Sequence, residues 1–442
     1  MSSSTTSVFA DLIVAYPTWD ALSAFLTSEM GGSLRVKTTL LTPESPYALI
    51  HYVKGKSDFS KAHVGAFRSV VWDTTTNRPV SVTSFKSEAG ESMPIAPYNA
   101  ADHVVEQFVD GVMIGMFWDS YSNRWRVHTR TTLDAECRYY SQTKTFRTMF
   151  EEATRADLDY GKLSKTDSYT FVLQHPENRI VCAVATPRAT LVENIVIHGT
   201  DGKITFCHSA TYPYKGAMAV VDGIGKWEDV TAKLGEWNTR FRHNIQGIVI
   251  KDLEGRRWKV RGTDYNSVRA LRGNTSRRDF HWLGLWRTGT LPAYLNTFPE
   301  ERALANAIVA RWKETTNSVF HLYTDAFKAR TLERNKIPQK FRPLVYGLHS
   351  KFLEELKPAG KKVDWKTCLE YMNARDTAQM LFVVNWEVRE AAKAAGVPSI
   401  PIEPQVPTAV VDMHADVEAD VEAGTAVTGS KRTWAGVVSE EA

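Results

Sequence analysis

Two apolar, β-prone runs at residues 104–109 and 112–119 are separated by the dipeptide Asp110-Gly111. Asp-Gly between two such runs is the strongest short-range turn signal in a sequence. The stretch therefore predicts a strand, a tight turn and a second strand that ends at Trp118 and Asp119. Considered by itself, an ordinary β-hairpin is the simplest interpretation of this pattern.

Three further segments follow this stretch in a fixed order: residues 125–130, residues 169–181 with Pro176-Glu177-Asn178-Arg179, and residues 246–252 leading into residues 258–261. Together with Asp110-Gly111, the order resembles the motif series of the covalent nucleotidyltransferases, which include ATP-dependent ligases and mRNA capping enzymes. The phage-type RNA ligases with a helical C-terminal domain are the most similar members. The resemblance covers roughly residues 45 to 290 and implies a ligase-like fold.

The chain departs from this family at three catalytic positions. The family has a nucleophilic lysine two residues before Asp-Gly, and Phe108 stands there in this chain. Because phenylalanine has no lone pair, the usual lysyl-nucleotide bond cannot form at this position. Two family glutamates that help to hold metal or nucleotide are replaced by Val172 and Gln246. All three substitutions remove a charged or ionisable group.

The residues that the family places near the nucleotide phosphates are retained. The matching positions are Arg68, Lys86, Asp110, Gly111, Lys259 and Arg261. Lys259 and Arg261 alternate along a predicted strand, so both side chains are expected on one face of it. The resemblance therefore implies a cleft that holds phosphate groups, with ATP or GTP and Mg²⁺ as candidate cofactors.

Roles of individual residues, in the cleft and beside it, are predicted as follows. Phe108 and Gln246 contact the nucleotide, Phe108 by stacking on a base and Gln246 as a neutral donor and acceptor. Asp110 is a candidate catalytic residue. Lys86 is either a phosphate contact, a relocated nucleophile or a surface lysine without a role. Arg179 braces the turn between two strands.

A basic track follows the last motif and predicts RNA binding. Its arginines are Arg256, Arg257, Arg269, Arg272, Arg277 and Arg278, interleaved with aromatic residues such as Trp258, Tyr265, Phe280 and Trp282. Clustered cations attract phosphate and aromatic rings stack on unpaired bases. The alternative is a solvated basic face whose aromatic residues belong to the core.

The composition excludes several other classes of protein. The net charge of the 442 residues is only +4, and the four cysteines have no disulfide-frame or metal-ligand spacing. They predict thiols in a reducing compartment and no metal site. Neither a signal peptide nor an apolar run near twenty residues is present, so an intracellular protein, cytoplasmic or nuclear, without a membrane span is expected.

The expected fold class is α+β, with a mostly antiparallel nucleotidyltransferase domain followed by an all-α C-terminal domain and a disordered tail. The predicted segments are an N-terminal helical segment (1–33), the ligase-like domain (34–290), the helical domain (291–396) and the tail (397–442). Four prolines between residues 397 and 408 and the acidic residues after them favour disorder in the tail.

Three hypotheses about function follow. The first is a degenerate nucleotidyltransferase that binds RNA ends or nucleotide without forming a covalent intermediate. The second is an active ATP-dependent RNA ligase in which Lys86 replaces the missing nucleophile. The third is a structural or interaction protein that binds a protein partner through its helical domain and tail, in which residues 431–438 form a candidate docking segment.

Overall fold

A computed structural model of the chain describes residues 5–38, 45–90, 103–141, 143–207, 214, 216 and 220–395. Its strands, in chain order, are β1 (Thr5–Thr6), β2 (Arg35–Lys37), β3 (Tyr47–His51), β4 (Val70–Asp73), β5 (Arg78–Val82), β6 (Ser87–Ala89), β7 (His103–Phe108), β8 (Val112–Asp119), β9 (Arg124–His128), β10 (Asp167–Gln174), β11 (Arg188–Ile197), β12 (Ile204–Cys207), β13 (Gly247–Asp252) and β14 (Arg257–Arg261).

The α-helices are α1 (Val8–Ala15), α2 (Trp19–Thr27), α3 (Phe146–Thr154), α4 (Trp227–Phe241), α5 (Thr263–Arg272), α6 (Arg278–Arg287), α7 (Leu291–Thr297), α8 (Arg302–Tyr323), α9 (Arg342–Lys351), α10 (Trp365–Asn373), α11 (Thr377–Val384) and α12 (Trp386–Ala394). In the described part of the chain that follows β14, all the regular elements are helices. The predicted α+β class, with helices following the strands, is confirmed.

The strands form three sheets. Sheet I has six strands in the order β1-β12-β11-β10-β8-β9, sheet II has four in the order β6-β14-β13-β7, and sheet III has four in the order β2-β3-β4-β5. Neighbouring strands are antiparallel except β6 and β14, which are parallel. The mostly antiparallel pairing agrees with the short strands and frequent turn residues of the sequence.

The strands on either side of Asp110-Gly111 belong to different sheets. In sheet II, β7 pairs with β13, so that Phe108 lies opposite Gly247. In sheet I, β8 pairs with β9 and β10. Both strands are present as predicted, but the hairpin interpretation is wrong. Asp110-Gly111 is the crossover from sheet II to sheet I. The pairing of β7 and β8 with distant strands, and not the local turn signal, determines that the two strands do not pair with each other.

The N-terminal helices form where the apolar spacing predicts them. Pro17 separates α1 from α2, and the hydroxyl of Thr18 accepts a hydrogen bond from the backbone N–H of Ala21 at the start of α2. Phe9 and Leu22 are buried in one core with Trp72 of sheet III and with residues of β11 and β12. The two helices therefore cover strands of sheets I and III.

The other helices cover the remaining apolar surfaces. α3 packs on sheet I and α4 packs on sheet II. Helices α6 to α11 bury a separate core around Trp312, which includes Trp282 and Leu283 of α6. No described helix has the length and hydrophobicity that a membrane span needs. Residues 396–442, which contain the predicted disordered tail and docking segment, lie outside the described ranges.

A buried polar network joins sheets I and III. Nε2 of His128, which is 0% exposed, lies 2.8 Å from the hydroxyl of Ser81, and Nδ1 lies 3.1 Å from that of Ser69. The Ser81 hydroxyl is in turn 3.0 Å from that of Ser168. Burial lowers the pKa of His128 to about 4, although the Thr129 carbonyl opposes the shift. The imidazole is therefore neutral in the folded protein.

The free energy of unfolding is expected to fall as the pH falls from about 7 to 5. Burial also lowers the pKa of His51 to about 4, whereas unfolding returns His51 and His128 to the ordinary value of 6.5. The unfolded chain thus takes up protons that the folded protein does not. Each histidine should lower stability by up to about 1.4 kcal/mol per pH unit. Urea unfolding measures this, and equal stability across the range would contradict it.

Candidate functional site

A cleft opens between sheets I and II at the Asp110-Gly111 crossover. It encloses about 570 Å³, including the part that is open to solvent. Its lining residues are Arg68, Ser84, Phe108, Val109, Asp110, Gly111, Met113, Val172, Val192, Gln246, Arg257, Arg261, Tyr265 and Arg269. Four of these residues are arginines, and Asp110 is the one carboxylate among them. Gln246 and Val172 both line the cleft.

Asp110 fixes the geometry of the crossover. One carboxylate oxygen accepts hydrogen bonds from the backbone N–H groups of Val181, at 3.0 Å, and Cys182, at 2.9 Å. The other accepts a hydrogen bond from the Tyr265 hydroxyl at 2.8 Å. Burial, followed by the charge of Asp110, raises the pKa of Tyr265 well above its ordinary value, so the phenol remains a donor. Asp110 therefore connects three separate parts of the chain.

Position 111 requires glycine because there is no room for a side chain. A Cβ atom at this position would lie 2.5 Å from the carbonyl oxygen of Leu173 and 2.6 Å from a methyl group of Val172. The first neighbour is backbone in the middle of sheet I, so it cannot easily move away. The close approach of the crossover to β10 needs a residue without a side chain.

One face of sheet II carries most of the positive charge of the cleft. Arg257, Lys259 and Arg261 alternate along β14, as predicted, and lie opposite Lys251, Val249 and Gly247 of β13. The Arg261 guanidinium lies 5.4 Å from the centroid of the Phe108 ring. The ring of Phe108 therefore contacts a cation by its face.

Two arginines that the sequence assigns to an RNA-binding track lie in this cleft instead of on an open surface. Arg257 and Arg269 are only 5% and 6% exposed. One nitrogen of the Arg269 guanidinium, Nη1, donates to the carbonyl of Gly273 at 2.7 Å. The other terminal nitrogen, Nη2, is buried and has no hydrogen-bond partner among the described residues.

Lys86 lies outside this lining. Its ammonium group is 4.7 Å from the centroid of the Phe59 ring, and its backbone N–H donates to the carbonyl of Gly65. Lys259 is buried on the same face of sheet II as Arg257 and Arg261. Among the described residues, neither lysine contributes to the lining of the cleft.

A buried ion cluster behind the cleft has no counterpart in the sequence prediction. The Lys251 ammonium lies 2.7 Å from the carboxylate of Glu106 and 3.5 Å from that of Glu193, and it also donates to the Val192 carbonyl. The Ser84 hydroxyl donates to Glu193 at 3.0 Å. The available signal was a charged residue, Glu106 or Lys251, directly after an apolar run in each of the strands β7 and β13.

The carboxylates around the cleft do not fit the Mg²⁺ that the family resemblance implies. Mg²⁺ prefers oxygen ligands, usually including one or two carboxylates. Glu106 and Glu193 are ion-paired with Lys251, and Asp110 accepts three hydrogen bonds. In the described ranges, no group of three or more histidine, cysteine, aspartate or glutamate side chains is placed to hold a metal ion.

The rest of the basic track is divided between a buried ion network and the surface. Glu301 accepts hydrogen bonds from Arg272 and from the indole of Trp282, at 2.5 and 2.9 Å, and pairs with Arg278. Burial opposes ionisation of Glu301, but the two arginines outweigh it and lower its pKa. Arg272 is 2% exposed. These residues join α5 and α6 to the helices that follow.

Only part of the track faces solvent. Arg256 is exposed and pairs with Asp252 at 2.6 Å, and Arg277 is exposed beside the Phe280 ring. Trp258, Tyr265 and Trp282 are each no more than 3% exposed. These three rings are almost fully buried, so they offer no exposed face on which an unpaired base could stack.

A second, larger depression of about 1100 Å³ adjoins the cleft. The two share Phe108, Val109, Asp110 and Gln246. The lining of the second depression includes a set of uncharged polar side chains: Gln107, Gln174, Thr190 and Asn244. An arginine-lined space and an amide-lined space therefore meet at the crossover.

Replacing Gly111 by alanine is expected to destabilise the protein by about 1–3 kcal/mol, because the added methyl group overlaps the backbone of β10. The matched control is Gly235→Ala in α4, where an added Cβ would have no neighbour within 4 Å. That change should stabilise the protein by about 0.5–1 kcal/mol through helix propensity. Chemical denaturation compares the two variants. Equal effects would contradict the close approach at Gly111.

Several solved structures are similar to this chain. No protein-family model and no curated protein matches the chain. A putative ATP-dependent DNA ligase from Aquifex aeolicus aligns with 73% of this chain and 77% of its own, at 12% identity and a TM-score of 0.35. An archaeal ATP-dependent RNA ligase aligns with 82% of this chain and 88% of its own, at 11% identity and a TM-score of 0.36. Similarity at this level does not assign a function to the chain.

Proposed function

We propose that the cleft binds the phosphate groups of RNA ends or nucleotides and forms no covalent nucleotidyl intermediate, as expected for a degenerate nucleotidyltransferase. The observation that carries this proposal is a cleft lined by Arg68, Arg257, Arg261 and Arg269 with Phe108 at the position of the family nucleophile. Guanidinium groups bind phosphate oxygens through paired hydrogen bonds. The site has cations to hold an anion and no amine in its described lining to attack one.

The arrangement around Phe108 supports a nucleotide as the ligand. Phosphates would lie against the arginines, and the ribose or base would extend toward the adjoining depression, where Gln246, Gln174 and Asn244 offer neutral donors and acceptors. The face of Phe108 that is not covered by Arg261 would stack on a base. Arg256 and Arg277, which are exposed, are proposed as additional contacts to a longer RNA.

The alternative of an active ligase requires another nucleophile. A relocated lysine must come within about 3–3.5 Å of the α-phosphorus, in line with the leaving pyrophosphate. Lys86 lies over Phe59 and does not line the cleft, and Lys251 is 1% exposed and paired with two glutamates. This geometry favours binding without the covalent step.

The proposal predicts that Arg68→Gln and Arg261→Gln each weaken the binding of a 5′-phosphorylated single-stranded RNA by about tenfold or more. A charge-assisted hydrogen bond contributes about 1.5–3 kcal/mol, and 1.4 kcal/mol is a factor of ten in affinity. The matched control is Arg334→Gln, an exposed arginine near Phe327 on the helical side of the chain. Fluorescence anisotropy of labelled RNA at fixed ionic strength measures each affinity.

Two results would contradict the proposal. In the first, the two cleft variants bind RNA as tightly as the unaltered chain, which would place the RNA elsewhere. In the second, Arg334→Gln loses as much affinity as they do, which would mean that net charge alone decides binding. Circular dichroism of each variant shows whether the fold is kept.

A further inference from the structure

We propose that an acidic segment near the end of the chain (residues 412–422) docks on a lysine loop (residues 357–366) that leads into α10. The acidic segment lies outside the described residues, and the lysine loop lies within them. Three observations support the contact: opposite charge on the two segments, lysines without ion-pair partners, and an exposed tryptophan beside them. The contact is separate from the cleft and does not depend on what the cleft binds.

Charge is unevenly distributed along the chain. Residues 396–442 contain eight acidic and two basic side chains, so the 395 residues before them carry a net charge of +10. Five of the acidic side chains fall in the acidic segment, which contains neither lysine nor arginine. Opposite charges attract each other, and the attraction grows as the charges are brought closer together. A concentrated acidic segment therefore favours a concentrated basic surface of the same chain.

The lysine loop is such a surface. Nine of its ten residues are exposed. It has one acidic residue, Asp364, and four basic residues, which are Lys357, Lys361, Lys362 and Lys366. The Asp364 carboxylate accepts hydrogen bonds from the backbone N–H and the hydroxyl of Thr367, each at 2.7 Å, and thereby caps α10. The loop therefore presents more positive than negative charge to solvent.

None of the four lysines of the loop forms an ion pair with another described residue. Other lysines of the helices that follow β14 do so: Lys340 pairs with Glu387 at 2.7 Å, and Lys351 pairs with Glu355 at 3.1 Å. The ammonium groups of the loop are therefore available to carboxylates from elsewhere, and the acidic segment supplies five.

The backbone of the lysine loop is held in place. Val363 is 1% exposed and belongs to the core of the surrounding helices, and its carbonyl accepts a hydrogen bond from the Lys328 ammonium. The backbone N–H of Lys361 donates to the carbonyl of Leu356 at 2.8 Å. A surface that is already ordered loses less conformational entropy when a ligand binds to it.

Trp365 adds an apolar contact beside the lysines. Its side chain is 41% exposed, and its ring packs edge-on against Phe320 with the ring centroids 5.4 Å apart. The acidic segment carries apolar side chains between its acidic ones, namely Met413, Val417 and Val421. Packing of these side chains on Trp365 would remove apolar surface from water while the carboxylates pair with the lysines.

The covalent connection favours the acidic segment over an external polyanion. The described part of the chain ends at Ala395, 17 residues before Asp412. A chain of that length spans at most about 60 Å. A domain of about 100 residues has a radius of gyration of about 13 Å, so the segment can reach any face of the helices that follow β14. Such a connection raises the effective concentration of the segment to roughly the millimolar range.

Carbodiimide crosslinking of the full chain tests the contact, because this reagent joins a carboxylate to an amine without a spacer. Peptide mass spectrometry of the monomeric product is expected to find bonds between the acidic segment and the lysine loop. Most of them should disappear at about 1 M NaCl, where the Debye length is about 3 Å. The pair of Lys340 and Glu387 serves as the internal control at low salt.

Three results of this experiment would overturn the proposal. The acidic segment could remain unlinked while the control pair reacts. Its crosslinks could be spread evenly over the exposed lysines of the chain, which would show no preferred surface. Crosslinks that appear only in a covalent dimer would assign the segment to a second copy of the chain.

Charge reversal separates the acidic segment from RNA as the occupant of the lysine loop. In Lys361→Glu/Lys362→Glu, crosslinks to the other two lysines of the loop should fall about fivefold or more, because several weak exposed ion pairs act together. The matched control is Arg35→Glu/Lys56→Glu, which changes the net charge equally at two exposed positions and should leave these crosslinks unchanged. If the loop variant keeps its crosslinks but loses more RNA affinity than the control, the loop is an RNA contact and the proposal fails.

Discussion

The carboxylate of Asp110 is the interaction on which the cleft depends. It receives hydrogen bonds from Val181, Cys182 and Tyr265, so the crossover between two sheets is tied to the segment after β10 and to α5. Gly111 then brings the crossover directly against β10. Because β7 and β8 lead from this point into two different sheets, the position of Phe108 in the lining of the cleft follows from the way Asp110 is held.

Charge is distributed around this crossover in two layers. The inner layer is neutralised within the chain, where Lys251 pairs with Glu106 and Glu193. The outer layer consists of arginines that face the open cleft. Such a site is suited to holding an anion, and the ring of Phe108 has no lone pair with which to attack one.

Local patterns in the sequence predicted the elements well, and long-range contacts account for what they missed. Pro17, the apolar spacing in residues 227–241 and the alternation in β14 correctly indicated helices and a strand face. The Asp-Gly signal could not show that β7 pairs with β13, more than a hundred residues away. For the same reason, the sequence predicts a surface position for Arg269, although the fold buries it in the cleft.

The most direct measurement of the central claim is intact-mass spectrometry of the denatured protein after incubation with ATP or GTP and Mg²⁺ or Mn²⁺. We expect the unmodified mass under every condition, while the same preparation still binds RNA. A nucleotidyl adduct that survives denaturation would contradict it. Loss of that adduct in Lys86→Ala would then identify an active transferase with a relocated nucleophile.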